Sequence, residues 1–268
     1  MALPPEQQAD IERFFTTIKR LKEFDKAEIL GVVRTLIALN RRDLCFTGNY
    51  YRAAGNIETL LKLTSVRDFQ AIAMICRALF EIAVDFKLID QIPNSVEKIL
   101  AFPDVEKLRS AKRIVEFKAK TPTAAVSENI YAEFITRNAA RIEAEAKALW
   151  PDASLNVYHW SGKKFENRIA LVGAPLDEIY AVNYPQLSWY GHAGFTGILN
   201  LEMEAFQRLA GVSFTVAIHS YMAILAAMIQ EYKIDKANEK IEHLMKLARM
   251  LPFADGPMQE QALRQALS

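Results

Sequence analysis

The sequence has little of what marks a disulfide-bonded or strongly charged protein. Its 268 residues include two cysteines, Cys45 and Cys76, and both stand within apolar helical patterns. This placement indicates no disulfide framework and predicts two reduced core thiols in an intracellular, cytoplasmic protein. The formal net charge is +1, so any attraction to nucleic acid or to an anionic membrane would have to come from local patches.

The sequence also lacks a clear targeting or membrane segment. Its N-terminus, MALPPEQQADIERFF, has no apolar stretch of the kind found in secretory signals. The stretch 212–229 approaches the length of a membrane span, but it carries the polar residues Ser213, Thr215, His219 and Ser220. We therefore interpret it as part of a buried central helix and predict no membrane partner.

Glycine and proline are scarce, at 10 residues each, and apolar residues recur with the helical period of 3.6 almost throughout. Several helix starts carry capping-box patterns, such as Asp25 with Glu28. We predict an all-α fold, a multi-helix bundle around a central buried helix at about 66–90 and a long apolar helix at about 194–231. The predicted helices are 6–22, 25–47, 49–63, 65–90, 94–103, 104–119, 124–149, 162–173, 176–184, 194–231, 235–250 and 257–267. The segment 155–160, LNVYHW, is the one stretch that resembles a strand.

No internal repeat or low-complexity tract divides the chain. The segment 118–129, KAKTPTAAVSEN, is typical of a flexible loop between helical layers. Neither half on its own looks independent, so we predict a single all-α domain over 1–268. The segment 252–268 is expected to be a loosely docked C-terminal helix.

The central helix carries charges among its apolar side chains. Apolar residues cover 66–90 nearly all round, which predicts a helix surrounded by protein. Arg77, Glu81 and Asp85 nevertheless follow one another at intervals of four along one line of it. Because a buried charge is unfavourable unless it is paired, we expect Arg77 and Glu81 to bond to each other or to share a partner from 180–192. Two interpretations stay open, an ion-pair network that fixes helix packing and a polar pocket that faces a ligand.

The segment 180–195, YAVNYPQLSWYGHAGF, supplies the candidate partners. Tyr180, Tyr184, Ser188 and His192 recur at intervals of four, but Pro185 pushes the preceding residue out of the helical region. A helix is therefore expected to end near Tyr184, with Pro185 in the first turn of a new short one. His192 is the group of this run that can exchange a proton near neutral pH.

These residues resemble a bacterial all-helical family of unknown function. The resemblance covers roughly 50–230 and consists of an R-x3-E helix, a Trp-Gly pair and a Y-x3-Y-x2-L-S-x3-H signature. The matching residues are Arg77, Glu81, Trp160, Gly162, Tyr180, Tyr184, Leu187, Ser188 and His192. The family implies no established activity. Its helical architecture is comparable with HEPN-type ribonucleases and abortive-infection proteins, which is an analogy of fold alone.

The leading hypothesis is a defence- or stress-linked protein that acts on RNA or on a phosphate-containing ligand. The candidate catalytic residues are His192, Glu81 and Arg77, with Arg77 as the anion contact. The candidate ligand-binding residues are Tyr180, Tyr184, Ser188, Asp85 and Trp160, the last as a hydrophobic plug in the loop 155–164. The alternative is a non-enzymatic helical scaffold or a regulatory small-molecule binder, so whether the protein is an enzyme stays open.

Other site chemistries find weaker support. A HEPN-like ribonuclease should carry an arginine four to six residues before a histidine, and no histidine here does. No E-x-x-H or H-E-x-x-H spacing indicates a metal site, and no cofactor is predicted. The helical stripe at 107–120 holds Arg109, Lys112, Arg113 and Lys120, with Glu116 among them, and is more typical of a solvated face than of a phosphate-binding patch. A homo-oligomer stays open.

Overall fold

Helices form almost all of the described chain. The structure, a computed structural model, describes residues 5–36, 39–63, 68–123, 129–191 and 203–250. The α-helices are α1 (Pro5–Phe24), α2 (Leu30–Thr35), α3 (Arg41–Leu60), α4 (Phe69–Leu88), α5 (Ser95–Lys120), α6 (Asn129–Leu149), α7 (Phe165–Val172), α8 (Leu176–Val182), α9 (Tyr184–Gly191), α10 (Met203–Glu231) and α11 (Asp235–Met250). A π-helical turn, Asp25–Ile29, joins α1 to α2, and a 3₁₀ turn covers Ser154–Asn156. No strand occurs within these ranges, and the predicted all-α fold is confirmed.

The chain forms two compact units. The first consists of residues 1–87 and 172–268, and the second of residues 88–171. The chain therefore enters the second unit at the last residue of α4 and returns to the first at the last residue of α7. The single-domain organisation expected from the sequence stays a prediction. The C-terminal segment 252–268 and the central part of the expected loop, 124–128, lie outside the described residues.

The first unit is built around α10. Helices α1, α3 and α11 and the π-helical turn all pack against this helix. Its Gly211–Glu231 part is long and apolar enough to cross a membrane, with a mean hydropathy of 1.8, yet 72% of that apolar window is buried inside the protein. This burial agrees with the interpretation of a core helix. The side chains that fill the interior include Ile18, Ile57, Ile72, Leu79, Phe80, Phe214 and Tyr221.

The second unit is a pair of packed helices, α5 and α6, closed by the segment that follows them. Its hydrophobic core consists of Ala101, Val105, Leu108, Ile142, Ala146, Trp150 and Val157. The indole Nε1 of Trp150 donates to the carbonyl of Trp160 at 2.8 Å. Gly162 has a φ of +71°, and a Cβ there would lie 3.0 Å from Cδ1 of Trp150. Glycine is therefore required at this turn by both its backbone conformation and the close approach.

The first part of the sequence contains a helix break that the capping patterns did not predict. The expected helix over 25–47 is interrupted, because α2 ends at Thr35 and α3 begins at Arg41. Asn40 and Asp43 form a reciprocal capping box, with Asn40 Oδ1 accepting from the Asp43 amide at 2.9 Å and Asp43 Oδ2 accepting from the Asn40 amide at 3.0 Å. Because of this cap, α3 begins at Arg41, whereas the sequence predicted a helix that begins at 49.

A further prediction of local structure, a helix boundary at Pro103, is wrong. The expected boundary at Pro103 does not exist, because α5 runs through it as one helix. Proline removes one helical hydrogen bond, and the packing of Ala101, Val105 and Leu108 into the core offsets that loss. The segment 155–160, whose residues resemble a strand but which the sequence analysis placed in a loop, begins in the 3₁₀ turn and continues as irregular chain.

Candidate functional site

A cluster of four side chains joins α4 to α8 and α9, and we refer to Arg77, Glu81, Tyr180 and Tyr184 as the Arg77 cluster. Arg77 Nε donates to Oε1 of Glu81 at 2.9 Å, one turn along α4. The hydroxyl of Tyr184, the first residue of α9, donates to the same oxygen at 2.8 Å. The predicted pairing of Arg77 with Glu81, and their shared partner from 180–192, are therefore confirmed.

Aromatic rings hold the guanidinium in place. The Cζ atom of Arg77 lies 5.3 Å from the ring centroid of Tyr184, within the range of a cation–π contact. The Tyr184 ring in turn lies 5.3 Å from the ring of Tyr180 and 5.4 Å from that of Phe80. Because Tyr184 is buried, its ring gives Arg77 a fixed surface to stack on.

The cluster is only partly covered by protein, which corrects the expectation of a helix surrounded on all sides. The side chain of Arg77 is 29% exposed and that of Glu81 is 38% exposed. Met74, one turn before Arg77 along α4, is exposed as well. The face of α4 that carries the charged residues is therefore partly exposed to solvent. The other faces of α4 carry mainly apolar residues.

The protonation states follow from this arrangement. Burial raises the pKa of Tyr184 to about 12, the neighbouring Glu81 contributes to the rise, and Arg77 acts against it. Tyr184 therefore stays a hydrogen-bond donor at neutral pH. Burial alone would lower the pKa of Arg77, but the hydrogen bond to Glu81, together with Tyr184 and the charge of Glu81, outweighs burial and raises that pKa. The pair is thus a guanidinium beside a carboxylate, with Oε2 of Glu81 free of hydrogen bonds within the described residues.

The other predicted site residues lie in different places. Asp85 is half-buried one turn beyond Glu81 on α4, and Ser188 is half-buried on α9. Pro185 occupies the first turn of α9, as the sequence predicted. Trp160 is buried in the second unit, so its role as a plug stays a prediction. His192 lies outside the described residues.

Comparison with known proteins places these residues in a family. A family of unknown function, DUF5677, matches residues 44–206, which is more than half of the chain. The chain belongs to DUF5677. No curated protein and no solved structure matches it. The Arg77 cluster lies entirely within the part of the chain that the DUF5677 match covers.

A second polar centre of this DUF5677 protein lies partly outside the family match, and the sequence patterns did not reveal it. Asp25 is 0% exposed, and its two carboxylate oxygens accept from Tyr50 at 2.5 Å and from Tyr221 at 2.8 Å. Burial raises the pKa of Asp25, while the two tyrosine hydroxyls and then Lys22 and Lys26 act against the rise. We refer to Asp25, Tyr50 and Tyr221 as the Asp25 centre.

The signal for the Asp25 centre was present but ambiguous. Asp25 stands where a helix start was expected, and a capping aspartate is ordinarily exposed. The structure instead continues from α1 into a π-helical turn at Asp25, which is the kind of local widening often found at special sites in helices. That turn directs a residue typical of a cap into the core.

Several basic side chains of the stripe at 107–120 in this DUF5677 protein form ion pairs. Lys107 pairs with Asp104, Lys112 with Glu143, and Lys120 with Glu116. Arg109 pairs with Glu106 and also donates to the carbonyl of Val157 at 2.6 Å. Four basic side chains of α5 therefore have carboxylate partners, and the interpretation of the stripe as a solvated face stays a prediction. Among the described residues, no three His, Cys, Asp or Glu side chains are gathered closely enough to hold a metal ion.

Proposed function

We propose that this protein binds a phosphate-containing ligand at the Arg77 cluster, with Arg77 as the anion contact. The observation that carries the proposal is the partly exposed guanidinium, which Glu81 and Tyr184 hold in one orientation. A planar guanidinium presents a fork of donors that matches phosphate oxygens, and a stacked one loses less entropy when it binds. Its Nε is used by Glu81, so the remaining Nη donors are the ones directed to a ligand.

The carboxylate of Glu81 limits what this site can do alone. It neutralises the charge of Arg77 and would repel a phosphate that approached its Oε2 directly. A ligand is therefore expected to contact the Nη edge and the tyrosine rings, with a proton exchanged at Glu81 or at His192. We propose His192 as the proton-transfer group and retain RNA and a small phosphate compound as the two sources of the phosphate. An intracellular, defence- or stress-linked setting is proposed from the resemblance alone.

The alternative function is a packing clamp. The bond from Tyr184 to Glu81 ties together positions far apart in the chain, which favours a scaffold in which the polar cluster fixes how α9 lies on α4. A clamp and a binding site differ in what the loss of Arg77 does. A clamp loses stability, whereas a site that is open to solvent loses affinity.

Calorimetric titration with inorganic pyrophosphate and with a short RNA tests the proposal. For whichever of the two probes binds the wild-type protein, we expect Arg77→Ala to weaken binding about tenfold, because one charge-assisted contact is lost. Arg77→Lys keeps the positive charge and should recover part of the lost affinity. Arg113→Ala, an exposed arginine of the second unit, is the matched control and should leave binding unchanged. His192→Ala should relieve any toxicity of expression without changing the melting temperature. Unchanged binding by Arg77→Ala, together with a clear loss of stability, would establish the clamp instead.

A further inference from the structure

The most exposed large apolar side chain of the described residues belongs to the second unit, in the segment between α6 and α7. Tyr158 is 81% exposed, whereas Val157 before it and Trp160 after it are buried. The amide of Gly162 donates to the carbonyl of His159 at 2.9 Å, which closes a turn directly after the ring. Single exposed apolar residues are common on protein surfaces. Tyr158 differs from them because buried neighbours and a closed turn fix the chain on both sides of it.

Arg109 of α5 supports one face of the Tyr158 ring. The Cζ atom of Arg109 lies 5.2 Å from the ring centroid, within the range of a cation–π contact. The guanidinium is itself held, because its Nη1 donates to the carbonyl of Val157 at 2.6 Å and its Nη2 pairs with Glu106. Since the side chain of Tyr158 is 81% exposed, the opposite face of the ring is open to solvent. Tyr158 is therefore a flat aromatic surface that is held in place before any partner binds.

The end of the same turn carries positive charge. Lys163 and Lys164 are both exposed, and the amide of Lys163 donates to Oγ of Ser161 at 3.2 Å. The segment 153–165 contains these two lysines and no carboxylate. One open aromatic ring and two exposed cations therefore lie within seven consecutive residues, 158–164, of a hydrogen-bonded stretch.

We propose that Tyr158, Lys163 and Lys164 form a binding surface for single-stranded nucleic acid. An unpaired base offers a flat face that stacks on an aromatic ring, and the phosphates beside it are attracted to lysine side chains. Within 153–165, all of which the structure describes, Tyr158 is the one exposed large apolar side chain. A single ring matches one stacked base better than a lipid surface, which buries a whole apolar face.

Fluorescence anisotropy of a labelled single-stranded RNA of about eight nucleotides, titrated with the full chain, tests the ring. Tyr158→Ala should weaken binding about tenfold, because the stacking of one base is lost. Tyr158→Phe keeps the ring and should bind within about twofold of wild type. Phe117→Ala, which removes a half-exposed ring near the end of α5, is the matched control and should bind as wild type does.

Three outcomes of this titration would overturn the proposal. The first is no binding of the RNA by the wild-type chain, and the second is wild-type affinity in Tyr158→Ala. The third is an equal loss in Tyr158→Phe and Tyr158→Ala, because the hydroxyl rather than the face of the ring would then make the contact. Circular dichroism of each variant establishes that it is folded.

The salt dependence of binding tests the two lysines. Each phosphate contact of a single strand contributes about 0.7 to the slope of log affinity against log salt concentration. The double variant Lys163→Ala/Lys164→Ala should therefore reduce that slope by about 1.4. Lys118→Ala/Lys120→Ala removes the same charge near the end of α5 and should leave the slope unchanged. Equal slopes in the two double variants would contradict the placement of phosphates beside Tyr158.

Two further comparisons separate this surface from the Arg77 cluster and from binding by charge alone. Tyr158→Ala should cause the same fold loss in an Arg77→Ala background, so the failure of one site leaves the other measurable. A duplex of the same sequence hides its base faces and should bind more weakly than the single strand. A duplex that binds as tightly as the single strand would overturn the proposed stacking.

Discussion

Two carboxylates of the first unit, Asp25 and Glu81, are both bonded by tyrosine hydroxyls, yet they lie in opposite environments. Asp25 is completely buried and accepts from Tyr50 and Tyr221. Glu81 is 38% exposed and accepts from Tyr184 and from the guanidinium of Arg77. The first carboxylate has neutral donors and no access to solvent, whereas the second has a cation and an open side.

This difference separates a structural centre from a candidate site. Removal of Asp25 from water raises its pKa, and its two oxygens are both used within the core, so no ligand can reach them. Glu81 keeps one oxygen outside the hydrogen bonds of its cluster, beside a guanidinium that solvent can reach. The DUF5677 match points the same way, because it covers the Arg77 cluster but neither Asp25 nor Tyr221.

The largest effect is expected at Asp25. Asp25→Ala leaves the hydroxyls of Tyr50 and Tyr221 in the core without an acceptor, at about 1–3 kcal/mol for each stranded group. Urea unfolding of the variant should show a loss of this size. Tyr221→Phe is the matched control, because it removes one donor and leaves Asp25 with the other, and it should lose less. Equal midpoints for wild type and Asp25→Ala would show that the Asp25 centre contributes nothing to stability.

A smaller effect is expected in the pH dependence of stability, which tests whether Asp25 is harder to ionise in the folded state than in the unfolded state. Because burial raises the pKa of Asp25 above its usual 3.8, the folded state binds a proton more tightly than the unfolded state. Stability from this group is therefore fully present below pH 3.8 and declines as pH rises through the raised pKa. The total decline is about 1.4 kcal/mol for each pH unit that separates the folded-state pKa from the unfolded-state pKa.

Asp25→Asn isolates that contribution, because asparagine keeps an acceptor and cannot ionise. The difference in unfolding free energy, wild type minus Asp25→Asn, should fall as pH rises above 3.8 and through the raised pKa of Asp25. Asp104, whose pKa the hydrogen bond from Arg141 lowers, gives the opposite trend in both proteins and cancels in the difference. A difference that grows with pH would mean that Lys22, Lys26 and the tyrosine hydroxyls stabilise the charged form more than burial destabilises it.

The sequence was sufficient for the fold class, for the pairing of Arg77 with Glu81 and for the segment 180–192 as the source of a shared partner, but not for Tyr184 as that partner. Period-3.6 patterning reports which elements are helices, and an i, i+4 pair of opposite charges in an apolar helix predicts its own bond. The hydrogen-bonding side chains of 180–192 also indicated the segment from which a partner would come. These inferences depend on local spacing, which a sequence records directly.

What the sequence could not supply depends on tertiary packing. Segments distant in sequence determine how much of α4 is covered at Arg77. The apolar pattern therefore predicted a fully buried helix where the structure has a partly exposed face. Pro103 stays within α5 because its neighbours pack against α6, a contact that no local rule contains. Asp25 points into the core because of a π-helical turn, and no local pattern of residues signals such a turn.

The smallest effect is expected at Glu81, and it measures how open the Arg77 cluster is. A fully buried pair would lose about 3–5 kcal/mol in Glu81→Ala, because the guanidinium would be stranded, against about 1–3 kcal/mol for Ser188→Ala. With Glu81 38% exposed and Arg77 29% exposed, water can replace the lost carboxylate, and we expect Glu81→Ala to lose only about 1 kcal/mol. Ser188 is half-buried, so its loss should be no larger.

Denaturant unfolding of Glu81→Ala and Ser188→Ala beside wild type gives the comparison with Asp25→Ala. Small losses in both, together with a changed affinity for pyrophosphate or RNA in Glu81→Ala, would support a ligand site at the Arg77 cluster. A loss in Glu81→Ala as large as that in Asp25→Ala would remove the distinction between the two carboxylates, because it would mean that both stabilise packing. Both carboxylates accept a hydrogen bond from a tyrosine, so that bond cannot by itself explain a difference in stability loss between Asp25→Ala and Glu81→Ala. A large difference would therefore show that solvent exposure of the carboxylate determines whether it stabilises the fold.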